Sequence, residues 1–250
     1  MARAAVRFYA ELNDHLAPED RYRTLDRDFL VPGSLKDFIE SFGVPHTEVD
    51  LATVNGESSD FSRLVHDGDR VAVYPVFESL DITPELRLRP RPLREPRFVL
   101  DVHLGRLAAY LRMLGLDAAY HNRAGDPELV RTSVEQKRIL LTRDRGLLMR
   151  SAVTHGYWLR QTDSRRQTAE VVRRFDLGRW LQPFTRCMAC NERLSAASRE
   201  EVAARVPAGV AARHEEFRQC FGCRRVYWQG SHYRRMRHWI DEMAAPTAAA

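Results

Sequence analysis

The feature that most constrains this chain is a pair of short cysteine motifs, Cys187-Met188-Ala189-Cys190 and Cys220-Phe221-Gly222-Cys223, separated by 29 residues. They hold all four cysteines of the 250-residue sequence. Each loop turns two thiolates toward one point, and two such loops complete the tetrahedral shell of a structural zinc site. Gly222 suits the tight turn of the second motif. A catalytic zinc would need an open position, which four sulfurs do not leave. The competing account is a thioredoxin-like redox pair, and two knuckles in one stretch weigh against it. His214 is a spare ligand that a complete shell does not need. The spacer is longer than the usual stretch of roughly 15–20 residues, which predicts an inserted helix, with Ser198 to Ala212 as its candidate.

With 44% hydrophobic and 29% charged residues the chain can bury real cores beneath a charged surface. No run of about 18 apolar residues predicts a membrane span. The opening MARAAVRFYAELND meets an acid at Glu11 and lacks the apolar core of a signal peptide. The expectation is a cytoplasmic protein with reduced thiols. The net charge is +5, and lysine occurs only at Lys36 and Lys137. That arginine bias fits either a codon preference or a surface that meets phosphate.

Composition and periodicity divide the chain into sections. Residues 1–80 read as a small α+β domain. A strand covers Val6–Tyr9, Ser34 caps a short helix that Gly43 stops, and strands run over Val49–Val54 and Val71–Tyr74 with a turn at Asn55-Gly56. Residues 81–96, with four prolines and four arginines, read as an extended linker. Residues 97–178 alternate strand and helix, which implies a parallel sheet. Residues 179–242 form the cysteine-bearing module, and 243–250 a frayed tail. The stretches Val54-Asn55-Gly56 and Gly68 to Pro75 resemble the ubiquitin-like β-grasp proteins that carry sulfur. Those carriers activate a terminal pair of glycines, and here the chain continues Val76-Phe77-Glu78-Ser79. The resemblance therefore points to an interaction or substrate-presenting module.

Acids stand where the middle section's strands end. Asp101 follows Phe98-Val99-Leu100, and Asp144 follows Ile139-Leu140-Leu141-Thr142-Arg143. In a parallel sheet both reach one edge, the edge at which ligands bind. Asp126 or Glu128, at the start of Asp126-Pro127-Glu128-Leu129-Val130, would approach from an adjoining loop. Carboxylates gathered in this way call for a divalent cation, and oxygen ligands suit Mg²⁺ or Mn²⁺. Arg106, Arg112, Arg143 and Arg145 lie near them in sequence and could hold phosphates. The plainer account makes Asp126 a helix cap and Asp144 a turn residue.

The runs Phe98 to Asp117, Gly125 to Val130 and Arg138 to Leu148 resemble, in order, the mut-seven C-terminal RNase family. That family joins a PIN-type nuclease domain to a zinc ribbon, and some members carry an N-terminal ubiquitin-like domain. The resemblance implies a three-layer α/β PIN-like domain, preceded by a β-grasp domain and followed by the ribbon. It also implies a Mg²⁺- or Mn²⁺-dependent RNase with Asp101, Asp126 and Asp144 as its acidic core. Thr142-Arg143-Asp144 is similar to the T-x-D step of PIN nucleases. Many of those carry a further acid two residues on, where this chain has Gly146, with Glu128 or Asp163 as stand-ins. His103, at a helix start, reads as structural, since a metal-activated water needs no separate base.

Two other functions compete with RNA cleavage. One is a non-catalytic RNA-binding module, because Arg224 to Trp239 interleaves arginines with Tyr227, Trp228, Tyr233 and Trp239. The plainer account of that stretch is a basic helix packing its aromatics into the ribbon. The other is an adaptor whose N-terminal domain docks on a protein partner.

Overall fold

The computed structural model describes residues 1–75, 88 and 95–244. Most of the expected linker, the run Val76 to Ser79 and positions 245–250 of the tail lie outside the described residues.

The first section is a five-stranded sheet in the order β2-β1-β5-β3-β4. It comprises β1 (Ala2–Phe8), β2 (Thr24–Phe29), α1 (Leu35–Glu40), β3 (Val49–Val54), β4 (Glu57–Ser58) and β5 (Arg70–Pro75). Its central pair, β1 and β5, is parallel and the remaining pairs are antiparallel, the arrangement of a ubiquitin-like β-grasp. Ser34 caps α1 by accepting the Asp37 N–H at 3.1 Å. Asn55 and Gly56 both take positive φ, 55° and 91°, so the β3–β4 hairpin closes through a turn that matches the strand twist. Val6, Phe8, Leu35, Ile39, Val49, Val54, Val71 and Val73 fill the core between α1 and the sheet. β2 escaped the sequence reading. It is an edge strand that keeps Asp26, Arg27 and Asp28 exposed, so little apolar alternation marks it.

The middle section runs β6 (Arg97–Leu100), α2 (Gly105–Met113), β7 (Asp117–Tyr120), α3 (Asp126–Glu135), β8 (Ile139–Thr142), α4 (Arg145–Leu148), β9 (Gly156–Trp158) and α5 (Ser164–Arg174). β6, β8 and β9 pair in parallel, with Leu100 opposite Leu141 and Thr142 opposite Trp158. This is the expected α/β architecture. α2 ends at Gly115 (φ 88°), where the Leu116 N–H reaches back to Leu111 O at 3.0 Å. A Cβ at that glycine would lie 2.2 Å from Gln182 O, so backbone approach as well as φ requires glycine.

The third section holds β10 (Leu194–Ala197), α6 (Arg199–Val202), α7 (Ala208–Ala211), β11 (Phe217–Cys220), β12 (Val226–Trp228) and α8 (Ser231–Ala244). The strands form an antiparallel sheet in the order β10-β11-β12. The stretch 198–212, expected to supply part of an inserted helix, does carry helix, in two short pieces. Ser198 and Glu201 form a capping box at α6, but Pro207 lacks an N–H and holds Val206 extended, which breaks the run. Val202, Val206 and Phe217 make a small core there. Among the described residues no helix is long and apolar enough to cross a membrane.

Compaction does not follow chain order. Met1–Asp101 and Arg123–Arg160 form one compact unit, and Val102–Asn122 with Gln161–Ala250 the other. Within the first unit a buried carboxylate, Glu48, ties the β-grasp section to β9. Its Oε1 accepts the Trp158 backbone N–H at 2.6 Å, and its Oε2 lies 2.9 Å from both His15 Nε2 and an Arg160 N–H donor. Arg160 also binds Asp14 Oδ2 at 2.9 Å, and His46 Nε2 donates to Val153 O at 2.9 Å. Burial opposes the Glu48 charge, yet His15, Arg160 and the Trp158 N–H outweigh it and hold the carboxyl down to about 2.

Removing one partner of such a buried network leaves a charge uncompensated, so Glu48→Ala is expected to cost about 3–5 kcal/mol. The folded-state pKa lies below the ordinary 4.5. The stabilisation is therefore complete above that value and lost as pH falls toward about 2. Urea unfolding across that range checks this, because Glu48→Gln should flatten the acid limb of the stability curve. An unchanged acid limb in that variant would refute the assignment.

Candidate functional site

The four cysteine sulfurs converge. All lie within 4.8 Å of one another, with Cys187 Sγ 3.4 Å from Cys223 Sγ and Cys190 Sγ 3.3 Å from Cys220 Sγ. Among the described residues they are the His, Cys, Asp and Glu group of three or more that comes this close, and such a set could hold zinc. The two knuckles repeat one backbone design. Asn191 N–H donates to Cys187 O, and Arg224 N–H donates to Cys220 O, each at 2.9 Å. Cys187 N–H reaches Glu192 O at 2.8 Å and Cys220 N–H reaches Arg225 O at 2.9 Å. Asn191 and Arg224 take the left-handed conformation that closes each loop, with φ of 73° and 61°. Burial opposes ionisation of Cys187, but the Tyr227 hydroxyl, 3.1 Å from its sulfur, and the Cys190 and Ala189 N–H groups bring the thiol down to about 6. Burial pushes Cys190, Cys220 and Cys223 up.

The first knuckle is wired to α2 and β7. Arg112, expected to hold phosphate, does not: it is 3% exposed and its guanidinium is committed to backbone carbonyls. It donates to Ala118 O at 2.8 Å, Met188 O at 3.2 Å and Ala189 O at 2.8 Å. A planar donor fork on α2 therefore fastens the knuckle loop in place. Asn191 adds a second fastening, donating to Asp117 Oδ1 at 2.8 Å and accepting the Ala118 N–H at 3.0 Å. Nothing in the helical spacing of α2 distinguished Arg112 from its exposed neighbour Arg106.

The acids occupy the carboxyl edge of the parallel strands in the first unit. Asp101 continues β6, its N–H donating to Leu141 O at 3.1 Å. The buried Thr142 hydroxyl donates to Asp101 Oδ2 at 2.6 Å and accepts the Asp144 N–H at 2.9 Å. One hydroxyl thus bridges the ends of β6 and β8. Asp144 is exposed and caps α4, its Oδ1 accepting the Gly146 N–H at 2.8 Å. Asp126 opens α3 after the cap residue Gly125, and its Oδ2 pairs with Arg150 at 2.9 Å. Among the described residues, Asp101, Asp126 and Asp144 are not among the groups of side chains drawn close enough to hold a metal ion, as the four cysteines are. Glu128 is exposed in the first turn of α3, and Asp163 is spent as the cap of α5.

The remaining arginines differ in their commitments. Arg143 is exposed, and its carbonyl accepts the Trp158 indole N–H at 3.1 Å. Arg145 donates to His15 O at 2.7 Å and lies 5.5 Å over the Trp158 ring. Arg106 is exposed on α2. Sequence reasoning missed Thr142 as the bridge, and it missed Trp158, Arg160, His15 and Glu48 as the support of that edge. The T-x-D spacing was the available signal for Thr142. Glu48 is joined to Trp158 and Arg160 across more than 100 positions of chain and to His15 across 33, which no local pattern records.

The cysteine cage yields a direct expectation. Cys190→Ala should abolish stoichiometric zinc in protein purified without chelator, and chelation should melt residues 187–228 in hydrogen exchange. Zinc retained at full stoichiometry by that variant would contradict the four-sulfur shell.

Comparison with known proteins places these features together. A family model described as the Mut7-C RNAse domain matches residues 96–240, and one described as Mut7-C ubiquitin matches residues 1–81. Among solved structures, the crystal structure of H. volcanii small archaeal modifier protein 1 is similar at 14% identity and a TM-score of 0.25, covering 30% of this chain and 98% of that one. A search of curated proteins finds no match. The chain belongs to the Mut7-C RNAse domain family, with the family's ubiquitin-like section preceding the RNAse region.

Proposed function

We propose that this protein is a metal-dependent ribonuclease of the reducing cytoplasm that hydrolyses RNA phosphodiester bonds at the carboxyl edge of β6 and β8. The observation that carries the reading is the Thr142 hydroxyl, which joins Asp101 to the Asp144 backbone at 2.6 and 2.9 Å. Two carboxylates at one strand edge suit a hard cation that keeps waters and takes phosphate oxygens as further ligands, as Mg²⁺ and Mn²⁺ do. When bound there, the ion would supply Lewis-acid stabilisation and an acidified water. Asp101 and Asp144 would hold it, with Thr142 orienting Asp101. Asp126, paired with Arg150, would join only after exchanging that partner. Arg143 and Arg145 are the candidates to hold phosphates at this edge; Arg106, exposed on α2 in the other unit, is a separate candidate for phosphate, and Arg112 is reassigned to the ribbon. The cysteine cage holds one structural zinc in this reading.

A second reading, an RNA-binding module without cleavage, draws on charge. The second compact unit carries 18 arginines and 11 acids, a balance of +7, whereas the first has 21 basic and 23 acidic residues, a balance of −2. A basic unit of this kind binds polyanions whether or not the acids work. An adaptor role for the ubiquitin-like section, docking a protein partner, is compatible with either.

Cleavage of a labelled single-stranded RNA with Mn²⁺ separates the readings. Asp101→Asn and Asp144→Asn should each lower the rate about 100-fold or more. Asparagine still caps α4, so loss in Asp144→Asn would report charge and not folding. Equal rates in the wild type and both variants would sink the proposal, and salt-sensitive binding without cleavage would favour the module.

A further inference from the structure

The second unit contains a pocket of about 510 Å³ between the ribbon sheet and α8. We propose that this pocket takes one unpaired base of a single-stranded RNA, an inference that rests on RNA being the ligand of this protein.

Three observations carry it. The first is which aromatics of the Arg224 to Trp239 stretch are already committed. The Tyr227 hydroxyl is engaged with Cys187 Sγ. The Trp239 ring packs 5.1 Å from that of Tyr110, with Arg165 5.5 Å over it. Trp228 and Tyr233 line the pocket and are half-buried, and Tyr233 is backed by Phe184 at 4.3 Å. They provide flat faces of the kind on which bases stack.

The second is the rest of the lining. Met113, Met188 and Met236 supply a soft, polarizable wall that adapts to a planar guest. Arg218 and Arg237 also line the pocket and are exposed, placing cations where a flanking phosphate would lie. Glu215 and Glu216 at its border offer acceptors for the exocyclic amino groups of a base. The volume falls within the roughly 300–1,000 Å³ of small-ligand sites.

The third is the concentration of positive charge in this unit, +7 against −2 in the other. Arg237 is already paired with Asp241 at 3.1 Å, but an apolar peptide or a lipid chain would fill the aromatic wall and bring no charge to Arg218, whereas one nucleotide supplies both a flat ring and a phosphate.

The test uses the full wild-type chain, zinc-loaded and ¹³C-labelled at the methionine methyls. It is titrated with a mixed-sequence single-stranded RNA and with an abasic strand of the same backbone. Base-bearing RNA should shift Met113, Met188 and Met236 and leave Met1 in place. It should also bind tighter than the abasic strand by roughly 5- to 150-fold, the equivalent of about 1–3 kcal/mol per stacked base. Met236→Arg, which fills the pocket, should erase that preference and keep the salt dependence. Equal affinity for both strands with the three methyls unmoved would overturn the inference and leave RNA cleavage standing. If neither strand binds at low salt, the RNA reading and this inference fall together. Self-association of the wild type, abolished by Met236→Arg and with RNA leaving the methyls unmoved, would give the pocket to a second copy of the chain and overturn the proposal.

Discussion

Burying the Glu48 carboxylate costs several kcal/mol of solvation, and three donors from distant parts of the chain offset it. The N–H of Trp158, the Arg160 guanidinium and the His15 ring converge on its two oxygens. Because Trp158 closes β9 opposite Thr142, this contact fixes the end of the strand beside which the acidic edge forms. The ubiquitin-like section is consequently part of the compact unit that holds Asp101 and Asp144, and not a bead on a tether. An ion pair is not needed for stability in such a place, since a hydrophobic contact often serves as well.

The second unit relies on a comparable device. Arg112 gives its guanidinium to carbonyls of Ala118, Met188 and Ala189, so a helix side chain seats the loop between the two cysteines of the first knuckle. Asn191 does the same from within the knuckle, its side chain reaching Asp117 and its φ of 73° closing the loop. Gly115 allows the chain before the ribbon to approach the end of α2, since any Cβ there meets Gln182 O. The cysteines mark where the ribbon is, and these three residues decide how it is attached.

Much of the architecture was legible without coordinates. The C-x-x-C pairs, the Ser34 cap, the Asn55-Gly56 turn and the strand–helix alternation of 97–178 each carry a local physical signal, and each appears in the fold. The failures share a cause. β2 is a polar edge strand with little alternation to detect, and within 198–212 it is Pro207 that decides where the expected helix is interrupted. Arg112 and Arg106 are both arginines on one helix, and only packing separates the buried one from the exposed one.

By itself the sequence determined the zinc-ribbon spacing, the kinds of element and the presence of acids at strand ends, because these depend on neighbours within a turn or a strand. Tertiary structure alone decided that Thr142 bridges Asp101 and Asp144, that Asp126 faces Arg150, and that Glu48 anchors β9. Those contacts join residues from 2 to more than 100 positions apart through single hydrogen bonds. A hydrogen bond requires an approach of about 3 Å in a defined direction. No periodicity in a chain encodes that, so long-range polar contacts are readable only once the backbone has been placed.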